Sequence, residues 1–287
     1  MIDNAMASII SHLRTRPSRT WSLIISLFGD AVVPRGGEID LAALSAFCAA
    51  LDIDVGAVRT ALSRLVRDGW LARQKRGRNS FYRLTAQGNA QFITASTRIY
   101  APPGQQEGRG LTLLLAPEAA RNELTEIVTE WGFGTVQPGL LVAVQPDPAE
   151  LPKGMLALKL ASDAPTLRQL AARSWPLAHL AEHYRAFIVA FSPLAAALQS
   201  NMPLADIQAL LARVLLIHEY RRIALRDPHL PHDLLPEDWP GTAARRLCAR
   251  LYGELFMPAE CWLDSHATTS RGNALPASRE SAKRFAP

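Results

Sequence analysis

Asp54-Val-Gly-Ala-Val-Arg-Thr-Ala-Leu-Ser-Arg-Leu-Val-Arg-Asp-Gly-Trp-Leu-Ala-Arg-Gln-Lys-Arg-Gly-Arg-Asn-Ser-Phe-Tyr-Arg-Leu-Thr85 is the stretch on which the reading turns. Asp54 is a suitable N-cap, and Val55, Val58, Leu62, Leu65 and Val66 recur at helical spacing, which predicts a helix to about Asp68 with those five residues facing a core. The opposite face then carries Arg59, Thr60, Ser63, Arg64 and Arg67. Gly69 ends the helix, Trp70 to Gln74 reads as a short strand, Gly77-Arg78-Asn79 as a tight turn and Ser80 to Thr85 as the returning strand. From Arg59 to Arg83 there are eight cations and a single acid, Asp68, a local charge of +7 in a chain whose net charge is only +5.

Upstream, Trp21, Leu23, Ile24, Leu27 and Phe28 give a helix an apolar face that Gly29-Asp30 is expected to stop. Asp40 then caps a second helix whose face is Leu41, Leu44, Phe47 and Cys48. Three helices followed by a glycine-centred basic hairpin predict a winged helix-turn-helix over residues 20–100. Guanidinium and hydroxyl groups recurring every three or four residues suit phosphate oxygens and base edges of a major groove. Arg59, Thr60, Ser63 and Arg67 are therefore the base-edge candidates, and Arg64, Lys75, Arg76 and Arg78 the phosphate candidates. A solvated helix face explains a basic helix alone; helix, turn and charge agreeing across two elements favour nucleic acid.

Outward from this stretch, residues 1–19 are polar and read as an arm, and the proline- and glycine-rich residues 101–110 as a linker. Leu111 to Ala116 predicts a strand, about Pro117 to Trp131 a helix, Gly139 to Val144 and Met155 to Leu160 further apolar runs, and about Pro165 to Trp175 a helix. That order gives residues 111–175 a small α+β unit. Residues 176–263 read as helical, with His179 to Ala190, Leu204 to Leu225 and Thr242 to Phe256 at helical period. Between the last two, the proline-rich Asp227 to Gly241 is expected to dock through Leu230, Leu234, Leu235 and Trp239 as an ordered wrap. The tail, 264–287, is rich in small and polar residues and is expected to be disordered.

With 287 residues, 48% hydrophobic and 20% charged, the chain can bury a sizeable core, and a pI near 9.4 favours polyanionic partners. No apolar run reaches the roughly 18 residues of a membrane span, and no secretory pattern opens the sequence, so a cytoplasmic protein with no membrane association is expected. Cys48, Cys248 and Cys261 lack metal-ligand spacing. His218-Glu219 lacks the second histidine of a zinc helix, because position 222 is arginine; His229 and His232 with Asp233 sit among prolines, where loop packing is the simpler account. No dinucleotide or phosphate-loop glycine pattern and no nucleophile elbow occur, so neither an enzyme, a cofactor nor a metal is expected.

Ser22-Leu-Ile-Ile-Ser-Leu-Phe-Gly-Asp30, Val58 to Leu71, Gly77 to Thr85 and, near the C-terminus, Leu215-Leu-Ile-His-Glu-Tyr-Arg-Arg-Ile-Ala-Leu-Arg-Asp-Pro-His-Leu-Pro-His-Asp-Leu-Leu-Pro-Glu-Asp-Trp-Pro-Gly241 together resemble the PaaX family, transcriptional repressors of phenylacetate degradation. The resemblance covers roughly Thr20 to Trp262 and matches in order at both ends. It implies an α+β chain with an N-terminal winged helix, a central ferredoxin-like domain and a helical C-terminal effector and dimerisation domain, acting as a homodimer on a palindromic operator. It also implies release of the double-stranded DNA by an acyl-CoA, phenylacetyl-CoA. The DNA-contacting helix maps onto Val55 to Asp68 and the wing onto Arg73 to Arg83, whereas Pro102 to Gly110 and the tail carry no family motif.

An acyl-CoA needs cations for its phosphates and an apolar slot for its acyl group. Arg213, Arg221, Arg222 and Arg226, with Trp239 and the aromatics Tyr184, Phe187 and Tyr220, are the effector-binding candidates, against ordinary helix salt bridges and core packing. Three other readings stay open: a regulator of this fold answering to a different acyl-CoA, an adaptor whose winged helix binds protein, and a metal-dependent nucleic-acid-processing enzyme using acids of the central unit such as Glu118, Glu123 and Asp163.

Overall fold

A computed structural model describes residues 2–15, 19–101, 110–117, 132–144, 151, 154–200, 202–278 and 281–285. The architecture is α+β, with two antiparallel sheets among many helices. The chain divides into two compact units: residues 1–103, 186–225 and 243–287, and residues 104–185 and 226–242.

The first unit begins with α1 (Ile2–Thr15), where a polar arm was expected. Ala5, Met6 and Ile9 are buried, an i, i+1, i+4 stripe too brief to stand out from the polar residues around it. Helix α2 (Thr20–Leu27) is not stopped by Gly29-Asp30; a wider helical turn carries the chain on through Phe28–Val32. Phe92 lies so close to Gly29 that a Cβ there would stand 2.2 Å from the ring, and Asp30 is turned inward against buried cations. A glycine and an acid that read locally as a stop are held by packing and charge instead.

Strand β1 (Glu38–Asp40), α3 (Leu41–Ala49), α4 (Val55–Arg67), β2 (Leu71–Arg76), β3 (Asn79–Leu84) and α5 (Ala86–Ile99) follow. The sheet order is β1-β3-β2, with Ile39 opposite Tyr82 and Leu71 opposite Leu84. Three residues are too few to show alternation, so β1 owes its form to pairing with β3. Asp40 caps α3 by accepting from Ala43 N, as expected, and Thr85 caps α5 by accepting from Gly88 N.

The same unit contains the later part of α7 (Leu177–Gln199), then α8 (Asp206–Ala224) and most of α9 (Gly241–His266). Helix α2 packs against both α4 and α8. Helix α8 is buried around most of its circumference, which is why it carries buried polar groups as well as leucines.

The tail, expected to be disordered, is instead anchored. Thr268 donates from N and Oγ1 to Asp40 Oδ2 (2.7 and 3.0 Å), and Ser270 donates from N and Oγ to Glu38 Oε2 (3.0 and 3.1 Å). Leu275 and Phe285 are buried. The polar average of the segment conceals two apolar anchors and hydroxyls that meet carboxylates of β1.

In the second unit β4 (Leu111–Leu115), β5 (Gly134–Gln137), β6 (Leu140–Val144) and β7 (Leu156–Lys159) form an antiparallel sheet ordered β5-β6-β4-β7. Leu114, Phe133, Leu141 and Ala143 form its core. Helix α6 (Ala164–Ser174) packs against β5, and Trp175 Nε1 donates to Gly132 O at 3.0 Å. Strand β5 was not anticipated, and most of the helix expected over 117–131 lies outside the described residues.

The proline-rich wrap is ordered, with Leu230, Leu234 and Leu235 buried, and it belongs to this unit together with the first part of α7. Arg168 Nε donates to Asp233 O (3.1 Å), Tyr184 OH to Asp227 Oδ2 (2.7 Å), and Trp239 meets Tyr184 edge-on. Among the described residues no helix is long and apolar enough to cross a membrane.

Candidate nucleic-acid interface

Helix α4 is built as the spacing predicts at its start, where Asp54 accepts from Ala57 N at 3.0 Å. Its buried arc is Val58, Ala61, Leu62 and Leu65. Val55 and Val66, expected in the core, are instead 46% and 37% exposed. The i, i+3, i+4, i+7 set beginning at Val58 fills the arc facing α2 and α3, so both valines fall at its margin.

Arg59, Thr60, Ser63 and Arg67 are all exposed on the outer face. Arg64 is half-buried, with its guanidinium 5.1 Å above the Trp21 ring. Arg64 Nε and Arg67 Nε each lie 3.2 Å from Asp68, the one acid of the segment. These are exposed pairs of the sort worth well under about 1 kcal/mol, and a phosphate could replace Asp68 as their partner.

The hairpin supplies the second group. Arg76 faces Asn79 across the two-residue turn Gly77-Arg78, and Gly77 takes φ +56°, the left-handed conformation such a turn demands at its first central position. Lys75, Arg76 and Arg78 are exposed around the tip. Among the described residues no carboxylate pairs with Arg59, Lys75, Arg76 or Arg78. Arg73 is bound to the hairpin itself, donating to Ser80 Oγ at 2.9 Å. Thr85 Oγ1 donates to Gly69 O at 2.6 Å, which fastens the base of the hairpin to the end of α4. All eight residues predicted to meet DNA are thus on one helix and the adjoining hairpin, projecting cations and hydroxyls with little acid among them.

The residues proposed for an effector fare differently. Arg213 is fully enclosed: its Nε lies 2.7 Å from Asp30 Oδ2, its Nη1 donates to Glu260 Oε1 at 2.6 Å, and its guanidinium stacks 5.0 Å from the rings of Tyr252 and Phe256. Burial opposes its charge, but Asp30, Tyr252 and Glu260 outweigh that and raise its pKa. It is a core ion and does not present itself to a ligand.

Arg221 donates to Ser22 Oγ and O, and burial pulls its guanidinium down to about 10. Arg222 donates to Glu219 at 3.2 Å and stays half-exposed. Arg226, exposed, and Trp239, half-buried, belong to the second unit. A cavity of about 340 Å³ in that unit is lined by Pro165, Arg168, Gln169, Ala172, Leu177, Leu234 and Pro236, none of them an expected effector residue.

The reading of sequence missed the group around Asp30. Arg284 donates to Asp30 Oδ1 and O (3.0 and 2.7 Å) and lies 3.9 Å over the Tyr100 ring, while Tyr100 OH donates to Asp30 Oδ1 at 2.8 Å. Burial first, and then the Asp30 charge, hold the Tyr100 phenol well above its usual range. Arg35 pairs with Glu260 at 3.0 Å and with Asp264. These partners are 70 to 255 positions apart, and no local pattern joins them. Among the described residues no group of three or more His, Cys, Asp or Glu side chains is arranged to hold a metal ion.

Comparison with known proteins matches residues 19–88 to the family of PaaX-like proteins and residues 175–265 to the PaaX-like protein C-terminal domain. The transcriptional repressor PaaX of Escherichia coli K12 is 34% identical over 274 residues, spanning 89% of this chain and 86% of that protein. Among solved structures, the uncharacterized protein Rv0674 from Mycobacterium tuberculosis superposes with a TM-score of 0.52 at 21% identity, over 77% of this chain and 90% of that one, a likeness of fold.

Proposed function

The chain belongs to the PaaX family, and from that membership we propose that it is a DNA-binding repressor of a phenylacetate catabolic operon, working in the cytoplasm as a homodimer. Helices α2, α3 and α4 with the β1-β3-β2 sheet act as a winged helix: α4 enters the major groove and the Gly77-Arg78 hairpin lies along the flanking backbone. The second unit, with its sheet order β5-β6-β4-β7, is the ferredoxin-like domain of the repressor. The observation that carries this reading is the outward face of α4, where Arg59, Thr60, Ser63 and Arg67 stand exposed beside exposed Lys75, Arg76 and Arg78.

Arg59, Thr60, Ser63 and Arg67 read base edges, and Arg64, Lys75, Arg76 and Arg78 bind phosphates. Two copies place two recognition helices about one helical turn, or a multiple of it, apart on a palindromic site. Phenylacetyl-CoA releases the repressor by binding its DNA-incompetent state more tightly, since equal affinity for both states shifts nothing. With Arg213 and Arg221 enclosed, Arg226 and Trp239 are the effector residues to examine first.

A gel shift with the upstream DNA of the chain's own operon tests this. The expected result is a salt-sensitive complex dissolved by phenylacetyl-CoA and not by free coenzyme A. Failure to bind that DNA contradicts the repressor reading, and release by a different acyl-CoA alone corrects the effector.

A further inference from the structure

Two side chains on α4 fit neither its buried arc nor its cationic face: Val55, 46% exposed, and Val66, 37% exposed. They differ in surroundings. Val66 is at the C-terminal end beside Arg67, a position that faces backbone or solvent when a recognition helix enters a groove. Val55 is the first residue of the helix, in the turn that comes closest to base edges in such docking.

That turn is unsuited to phosphate. Asp52 and Asp54, both exposed, immediately precede the helix start, and the first cation is Arg59, one turn further on. Gly56, also exposed, adds no side chain beyond the backbone; a Cβ there would stand 2.9 Å from the Asp54 carboxylate that caps the helix. The leading turn therefore presents a branched apolar group on a thin, acid-flanked helix end. Of the groups a major groove displays, the one an exposed valine complements is the thymine 5-methyl, while a carboxylate is repelled by phosphate.

We infer that Val55 is a specificity residue, packing on a thymine methyl in each half-site, with Arg59 and Thr60 one turn along reading neighbouring bases. This rests on the proposal that α4 reads DNA. It predicts that the site contains a thymine whose methyl matters although no hydrogen bond reports it.

The test replaces every thymine of the operator by deoxyuridine, which removes the methyl and leaves all hydrogen-bonding groups. Binding of the full-length protein to normal and substituted DNA is measured by fluorescence anisotropy for wild type, Val55→Ala and Val66→Ala. Wild type should bind the uracil DNA about fourfold more weakly per half-site, the worth of one buried methylene, and so about fifteenfold for two. Val55→Ala should bind the two DNAs alike, and Val66→Ala should keep the wild-type ratio. Indifference of wild type to the substitution overturns the inference while leaving DNA binding intact, as does a Val55→Ala variant that still discriminates. An equal loss in Val66→Ala also overturns it, because any exposed valine would then serve. Absence of binding to either DNA overturns the repressor reading itself and this inference with it.

Discussion

Arginine has opposite fates in two regions of the first unit. On α4 and the hairpin, Arg59, Arg67, Arg76 and Arg78 are exposed, with Asp68 the only acid in their segment. Around Asp30, Arg213 and Arg35 are enclosed and Arg284 nearly so, each matched to carboxylates from distant parts of the chain. The first arrangement keeps charge available to a polyanion. The second uses charge to fix the turn after α2 against α8, α9 and the tail, because a buried ion must keep its partner. Residue type alone does not separate a binding arginine from a structural one; what separates them is whether acids are brought to it.

The sharpest way to break this contrast is Asp30→Ala. It removes the buried carboxylate shared by Arg213, Arg284 and the Tyr100 hydroxyl, leaving Glu260 as the carboxylate paired with Arg213, and should cost about 3–5 kcal/mol of unfolding free energy in urea titration. A loss no larger than that of an exposed pair would show the centre to be decorative. Arg59→Ala should do the reverse, weakening operator binding by about 1–3 kcal/mol with relaxed preference at one base position and an unchanged urea midpoint. A matching loss of stability would place Arg59 in the structural class.

His218 extends the contrast to protons. Its Nδ1 lies 2.8 Å from Ser26 Oγ, and burial, followed by the charge of Arg221, pulls its pKa down to about 3. The unfolded chain, with an ordinary histidine near 6.5, takes up the proton first as pH falls. Its contribution is therefore fully present above about pH 6.5 and is lost progressively toward pH 3, by about 2 kcal/mol between pH 6.5 and 5. Urea midpoints of wild type and His218→Asn across that window should converge at low pH; parallel curves would remove His218 as the cause. The smallest effect is expected from Asp68→Asn, which frees Arg64 and Arg67 on the surface. Stability should change by less than about 0.5 kcal/mol while DNA affinity rises slightly, and a stability loss above about 1 kcal/mol would contradict the exposed-pair reading.

The same contrast explains what was legible in the sequence. The α4 and hairpin surface could be read because its information is local: a cap at Asp54, a buried stripe at helical period, a glycine at the turn and cations between them. Val55 and Val66 were misplaced because a helical repeat has margins, and only the neighbours of α4 decide where burial stops. Arg213 and Arg221 looked like ligand-binding cations because Asp30 and Ser22, which hold them, come from the turn after α2 and from α2 itself, nearly 200 positions away. Helix α1 and the tail were underrated for the same reason. His12 finds Glu219 at 3.2 Å, and Thr268 and Ser270 find the carboxylates of β1, pairings that exist only after the chain has folded.

If the exposed cations of α4 and the hairpin are there for phosphate, salt dependence is where they must show it. For a dimer that neutralises about eight phosphates, the logarithm of the operator association constant should fall against the logarithm of salt concentration with a slope near −7. Replacing Lys75, Arg76 or Arg78 by alanine should make that slope shallower by about one unit for each phosphate left without its cation. A nearly flat dependence in the wild type, or slopes that ignore these substitutions, would contradict the assignment.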